Sequence, residues 1–240
     1  MSKLLVPFRI YYSSQKIQNF KGKMEFAPIR ANKFQEVIEH LREHFPDEPL
    51  NECVGLCKKN EPCELLEHHD LHTLEEGLSI MAYDPITGEI AGVALNGVSN
   101  KGDNEKAIEE MKDIDNLQYK QIFGLLYNTN QEIDLFGKYG IDKIFELRIL
   151  SVNSKFRGKG IAKDLFARSE MLAEECGYKL MKVDATSRFS QRVAESLGMI
   201  TAKAVHYGDF QDENGKHIYQ IEAPHEYYKI MIKELGKKSN

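Results

Sequence analysis

ELRILSVNSKFRGKGIAKDLFARSEMLAEECG, residues 146–177, runs through three patterns in succession. Leu147, Ile149 and Val152, with Phe145 just before them and Leu150 among them, make a short apolar run of strand-forming residues. A basic glycine loop follows, Lys155-Phe156-Arg157-Gly158-Lys159-Gly160. Ile161, Leu165, Phe166, Ser169, Leu172 and Ala173 then recur at three- and four-residue intervals, the inner stripe of an amphipathic helix of roughly four turns. Gly177 stands where such a helix ends in a left-handed residue.

Strand, glycine loop and helix in that order suit an anion. The first helical turn presents N–H groups without intrahelical partners, and the macrodipole places about half a positive charge there. Glycine lets the backbone come close to a phosphate. Arg157 and Lys159 add mobile charge, so pyrophosphate is a better guest than a neutral ligand. Arg157, Gly160 and Ala162 alone are a weak pattern, equally read as a basic turn capping a core helix; their place between strand and helix gives them meaning. Neither the phosphate-loop nor the dinucleotide glycine spacing occurs.

The chain has 240 residues, 42% of them hydrophobic, enough for a substantial core. A net charge of −5 gives no global field toward nucleic acid or anionic lipid, so neither is expected as a partner. Leu4-Leu5-Val6 is too short for a signal-peptide core, and no run approaches a membrane span. A cytoplasmic protein acting as a monomer is expected, with Cys53, Cys57, Cys63 and Cys176 reduced. Residues 1–23 read as an N-terminal extension and 24–240 as a single domain.

Along the chain, 24–29 reads as a first strand and 33–44 as a helix capped by Asn32, with Phe34, Val37, Ile38 and Leu41 inward. Pro46 and Pro49 interrupt it. Pro49 suits the first position of a new helix and biases Glu48 toward extended backbone, which fixes Glu48 at the junction. Asp47 and Glu48 equally suit a plain role opposite a helix N-terminus. Two short helices follow within 50–76, then a hairpin of 78–83 with 89–98, and a mainly helical stretch over 102–140. Cys53, Cys57 and Cys63 before His68, His69 and His72 raise zinc, but their spacing fits no paired Cys-x-x-Cys site, and no metal is expected. Beyond the helix of the opening stretch come a strand at 180–183, a helix at 186–197 ended by Gly198, a strand holding His206 and Tyr207, and a hairpin pairing with 218–221 through Asp212–Gly215. A last helix is expected over 226–235. The alternation implies one α/β layer around a mixed sheet.

At the glycine loop the chain resembles the GNAT acetyltransferases. FPDEPLN at 45–51, ALNG at 94–97, ILSV at 149–152 and the segment 187–199 resemble the insect arylalkylamine N-acetyltransferases, in the same order and over about residues 24–235. The resemblance implies an α/β GNAT fold: a mixed, mostly antiparallel sheet splayed at strands 4 and 5 and flanked by helices. It implies acetyl-CoA as co-substrate, bound by Arg157, Gly158, Lys159, Gly160, Ile161 and Ala162, with backbone at Ile149, Leu150, Ser151 and Val152 for pantetheine and the oxyanion; Ser187 is grouped with these.

An alkylamine has a pKa of roughly 10.4, so about one molecule in a thousand is free amine near neutrality, and deprotonation costs on the order of 4 kcal/mol. A carboxylate raised by partial burial can act as the base, and Glu48 is the candidate, at the position of the glutamate that serves in the resembled family. Ala194 stands where many GNAT enzymes carry a tyrosine acid, so the resemblance points instead to Thr186 and Ser190, although each hydroxyl also suits a helix cap. The expected reaction is N-acetylation of amines such as dopamine, tyramine, octopamine, serotonin or tryptamine. Agmatine, histamine or a polyamine as acceptor, or a non-catalytic acyl-CoA-binding module, stay open at this point.

Overall fold

The structure is a computed structural model that describes residues 24–236. Its strands are β1 (Glu25–Pro28), β2 (Ile80–Tyr83), β3 (Ile90–Asn100), β4 (Lys143–Val152), β5 (Leu180–Ala185), β6 (Ile200–His206) and β7 (Tyr227–Glu234). They form one sheet in the order β1-β2-β3-β4-β5-β7-β6, antiparallel throughout except for β4 beside β5. The helices are α1 (Phe34–His44), α2 (Pro49–Val54), α3 (Glu64–Glu75), α4 (Asp103–Glu110), α5 (Leu117–Gln131), α6 (Leu135–Tyr139), α7 (Ile161–Glu175) and α8 (Arg188–Ser196). This is the mixed, helix-flanked α/β arrangement of the GNAT fold.

Strand alternation divides the core. Ile80 and Ala82 face α7, while Met81 between them packs with Val37, Ile38 and Leu74 from α1 and α3. All six residues of the α7 stripe are buried, and Gly177 has the left-handed φ of 79° that stops the helix. Gly92 explains how closely α7 lies on the sheet: a Cβ there would stand 2.9 Å from the Ser151 carbonyl and 3.2 Å from Ile161 and Leu165.

β4 controls the site. Leu95 pairs with Ile149 but Asn96 pairs with Leu147, so Arg148 is an extra residue bulging from β4. Pairing with β5 covers only Phe145, Glu146 and Leu147, opposite Met181, Lys182 and Val183. From Arg148 onward the two strands are unpaired, which is the expected splay.

Several expectations need correction. The stretch 226–235 is strand β7, because Tyr228, Ile230 and Ile232 alternate inward and the strand pairs with both β5 and β6. Residues 218–221 form no strand; a single bridge joins Gln211 and His217, and Tyr219 is tied instead to α5 by its hydroxyl on the Gln121 carbonyl at 2.7 Å. Asn32 lies inside a 3₁₀ turn and caps nothing; α1 begins at Phe34. Thr186 precedes α8, which Ser187 caps, and Tyr207 lies just past β6. The expected extension 1–23 lies outside the described residues. Among those described, no helix is long and apolar enough to cross a membrane.

Leu165 is fully buried between α7 and the sheet. Leu165→Ala is expected to destabilise the fold by about 2–5 kcal/mol, read as a lower urea midpoint with an unchanged slope.

Candidate active site

Glu48 stands at the start of α2 in extended backbone, φ −67° and ψ 128°, with Pro49 opening the helix behind it. Its Oε2 accepts from the Asn51 N–H at 2.9 Å as an N-cap. Its Oε1 accepts from the Thr186 hydroxyl at 2.6 Å. One carboxylate therefore caps a helix and reaches across to the end of β5. Burial pushes its pKa up, against the hydrogen bonds from Thr186 and Asn51. Asn51, buried, makes the position rigid: its side chain donates to the carbonyls of Pro46 and Cys57 and accepts from the Cys57 N–H. The Tyr207 hydroxyl donates to the Thr186 carbonyl at 2.8 Å and fixes the other partner.

Ser187 and Ser190 meet each other rather than Glu48. The Ser187 hydroxyl accepts from the Ser190 N–H at 3.1 Å, and the Ser190 hydroxyl accepts from the Ser187 N–H at 3.3 Å, a reciprocal cap on α8. Of the three predicted hydroxyls, Thr186 alone contacts the predicted base.

The glycine loop has the geometry of an anion cradle. Gly158 and Gly160 take left-handed φ of 77° and 84°, with open space where a side chain would sit. Ile161 and Ala162 lie in the first turn of α7, where N–H groups face outward from the helical ladder. Arg157 is less free than expected. It bonds Asp47 at 2.6 Å, the Val152 carbonyl at 3.0 Å and the His44 carbonyl at 3.3 Å, joining the loop to the Glu48 segment. Lys159 lies over the Phe156 ring at 4.9 Å. Ile149, Leu150, Ser151 and Val152 run along the β4 edge that β5 leaves open, and Ser151 is hydrogen-bonded to His40 at 3.2 Å. These features fit an acyl-CoA: backbone donors for phosphate and a free strand edge for the pantetheine amides.

Between Glu48 and the outer helices lies a cavity of about 990 Å³. Part of its lining is aromatic, with Tyr119 stacked on Phe123 at 4.2 Å between ring centres and Tyr127 tilted against Phe123, and Phe45 lines the cavity too. Another part of the lining is charged. Lys182 bonds Glu146 at 2.5 Å, Asn130 at 2.8 Å and Asp184 at 3.0 Å. Arg148 bonds Glu76 at 2.6 Å and Thr73 at 2.9 Å, with Glu146 at 3.4 Å. Although burial opposes it, Lys182 and Arg148 hold the Glu146 carboxyl at about 2. Lys182 stays a cation despite its burial, held up by Asp184 and Glu146. His68, His69 and His72 line the cavity too, but among the described residues no three His, Cys, Asp or Glu side chains converge on one point.

Arylalkylamine N-acetyltransferase 2 from Aedes aegypti is 48% identical to this chain, aligning 88% of it with 99% of that protein at a TM-score of 0.85. The chain belongs to the arylalkylamine N-acetyltransferase family. Mosquito arylalkylamine N-acetyltransferase like 5b is 26% identical over 89% of this chain and 100% of its own, with a TM-score of 0.80. The Drosophila melanogaster polyamine N-acetyltransferase, at 20% identity over 89% of this chain and 100% of that one and a TM-score of 0.78, shares the fold. No protein-family model matches.

The protein is thus an acetyl-CoA-using N-acetyltransferase, and its charged wall is the part of the cavity that sequence reading missed. The signal available was Lys182 and Asp184 alternating inside the apolar strand LMKVDA; their partners Glu146, Asn130 and Tyr228 come from β4, α5 and β7, far away in the chain.

His40, beside Ser151, is lowered from 6.5 to about 3 by burial and by neighbouring His44. A depressed histidine stabilises the fold as a neutral ring, so this contribution is whole above pH 6.5 and is lost as pH falls toward 3. His40→Gln is expected to reduce the difference in urea midpoint between neutral pH and about pH 4.5; equal differences in both proteins would place the acid sensitivity elsewhere.

Proposed function

We propose that the enzyme transfers the acetyl group of acetyl-CoA to the primary amine of an arylalkylamine, with Glu48 receiving the amine proton. The observation that carries this reading is the contact of Glu48 with Thr186 at 2.6 Å, on the border of a cavity whose lining is partly aromatic. An ethylamine chain leading to a ring suits that shape: the cation lies beside a carboxylate and the ring among Phe45, Tyr119 and Phe123.

Free amine is scarce at neutral pH, and removing its proton costs on the order of 4 kcal/mol. Glu48, lifted by burial, is a stronger base than an exposed glutamate and takes the proton as nitrogen attacks. The N–C bond forms at the thioester carbonyl, negative charge gathers on its oxygen, and the C–S bond then breaks. Backbone N–H groups along the open β4 edge, at Ile149 to Val152, are the donors proposed for that oxygen. The thiolate, with an ordinary pKa near 8.5, leaves with little acid help. Thr186 then serves to aim Glu48, while Ser187 and Ser190 keep the start of α8 rigid.

The diphosphate is assigned to Gly158, Lys159, Gly160, Ile161 and Ala162, through backbone donors and the α7 dipole. Arg157 braces the loop against Asp47. The 48% identity to the Aedes aegypti arylalkylamine enzyme supports the acceptor class; the agmatine and polyamine enzymes, at 20%, share only the fold.

Steady-state release of CoA thiol with tyramine as acceptor tests the reading. Glu48→Gln is expected to lower kcat by about 10²–10⁴-fold, with acetyl-CoA affinity kept. Since Glu48 must be ionised to act, native kcat/KM falls as pH drops through its raised pKa, and the variant loses that limb. Unchanged kcat across pH would remove Glu48 from the chemistry.

Thr186→Val probes the aiming contact separately. A loss of about tenfold in kcat with intact folding is expected, since one hydrogen bond to a charged partner is removed; native kcat would show that Glu48 needs no such support.

A further inference from the structure

Two neighbouring side chains of α3 carry buried polar atoms without a well-formed hydrogen bond: Nδ1 of His69 and Oδ1 of Asp70, 3.5 Å apart. Buried polar atoms are nearly always satisfied, so such a pair calls for an account. That separation is the outer limit of a hydrogen bond. Asp70 is 1% exposed, and burial raises its pKa against the pull of His69. Neither atom has another partner among the described residues. One proton between them therefore serves both, whether the imidazole or the carboxyl carries it.

His69 is only partly covered. Its side chain is 28% exposed and lines the cavity, and its ring lies 5.5 Å from that of Phe123, which stacks on Tyr119. With Nδ1 turned in to Asp70, Nε2 falls on the edge of the ring that can be reached. A neutral imidazole engaged at Nδ1 has one hydrogen-bonding function left, an acceptor at Nε2 when Nδ1 holds the proton and a donor when Asp70 does. A hydroxyl fits either case, because it both donates and accepts.

We propose that His69, held by Asp70, binds a hydroxyl on the aromatic ring of the acceptor, so that hydroxylated arylalkylamines are taken in preference to the same amines without it. The proposal rests on the arylalkylamine reading and adds its ring specificity. A ring among Phe45, Tyr119 and Phe123 has its edge beside His69, which packs on Phe123. A site with a placed polar group discriminates against the analogue that lacks the matching group, because its own atom is then left unpaired. Tyramine and phenethylamine differ by that one hydroxyl.

The test compares kcat/KM for tyramine with that for phenethylamine in the native enzyme, His69→Phe and Asp70→Ala. Folding is checked by the urea midpoint and by acetyl-CoA binding. The native enzyme is expected to favour tyramine by about tenfold or more. His69→Phe brings the ratio close to one, and the change appears as a higher KM for tyramine rather than a lower kcat, since the contact lies away from the reacting amine. Asp70→Ala frees the imidazole and narrows the ratio by about threefold or more. A native ratio near one, or an unchanged ratio in folded His69→Phe, would overturn the role of His69. An unchanged ratio in folded Asp70→Ala would overturn the anchoring by Asp70. If that variant fails to fold, Asp70→Asn is read instead: its amide still partners Nδ1, so a ratio within about twofold of native is expected, and a ratio fallen to one would overturn the anchoring. No turnover of either amine by the native enzyme would overturn the acceptor class and this role together.

Discussion

The parting of β4 from β5 after Leu147 is the constraint on which the site depends. Up to that point the two strands are held by three parallel pairs, and at the middle one Glu146 meets Lys182 both in register and by its side chain. The Arg148 bulge then adds a residue to β4 without a counterpart on β3. A bulge bends its strand and increases local twist, so β4 swings away from β5 and exposes its edge. The crevice so opened lies at the carboxyl ends of two parallel strands, with the first turn of α7 beside it, where open α/β sheets offer ligands free backbone and a helix dipole.

Two glutamates in this region show how environment separates roles. Glu146 sits between Lys182 and Arg148, and their attraction outweighs burial, so it is ionised throughout the neutral range and acts as a fixed charge. Glu48 has no cation bonded to its carboxylate; its partners are a hydroxyl and an N–H, and burial wins. The carboxyl with the raised pKa borders the cavity beside the open β4 edge, and the one with the lowered pKa holds the strands together. Removing one member of the buried network would leave an uncompensated charge, so its members stand or fall as a unit.

Much of this was legible in the chain because it is local. The α7 stripe needs only a helical period, and the junction at Glu48 follows from two prolines. β7 was misread for a physical reason: Tyr228, Met231, Ile232 and Leu235 also recur at three- and four-residue spacing, so both periods fit, and the ladders to β5 and β6 decide between them. The charged wall was less legible still. Its members come from α3, β4, α5 and β5, and nothing nearby in sequence announces that Arg148 reaches Glu76 or that Asn130 reaches Lys182.

Glu48 illustrates why a bland and a functional reading of one residue need not compete. A carboxylate has two oxygens, and here Oε2 caps α2 while Oε1 takes the Thr186 hydroxyl. The cap limits the side chain to one orientation before any substrate arrives, so no rotamer entropy remains to be lost when the group acts. Asn51 extends the effect by binding backbone on both sides, at Pro46 and Cys57. Pro49 contributes by its fixed φ and by lacking the N–H that would otherwise compete for the carboxylate. The segment FPDEPLN therefore reads as a device for holding one carboxylate oxygen still and presenting the other to Thr186 at the border of the cavity.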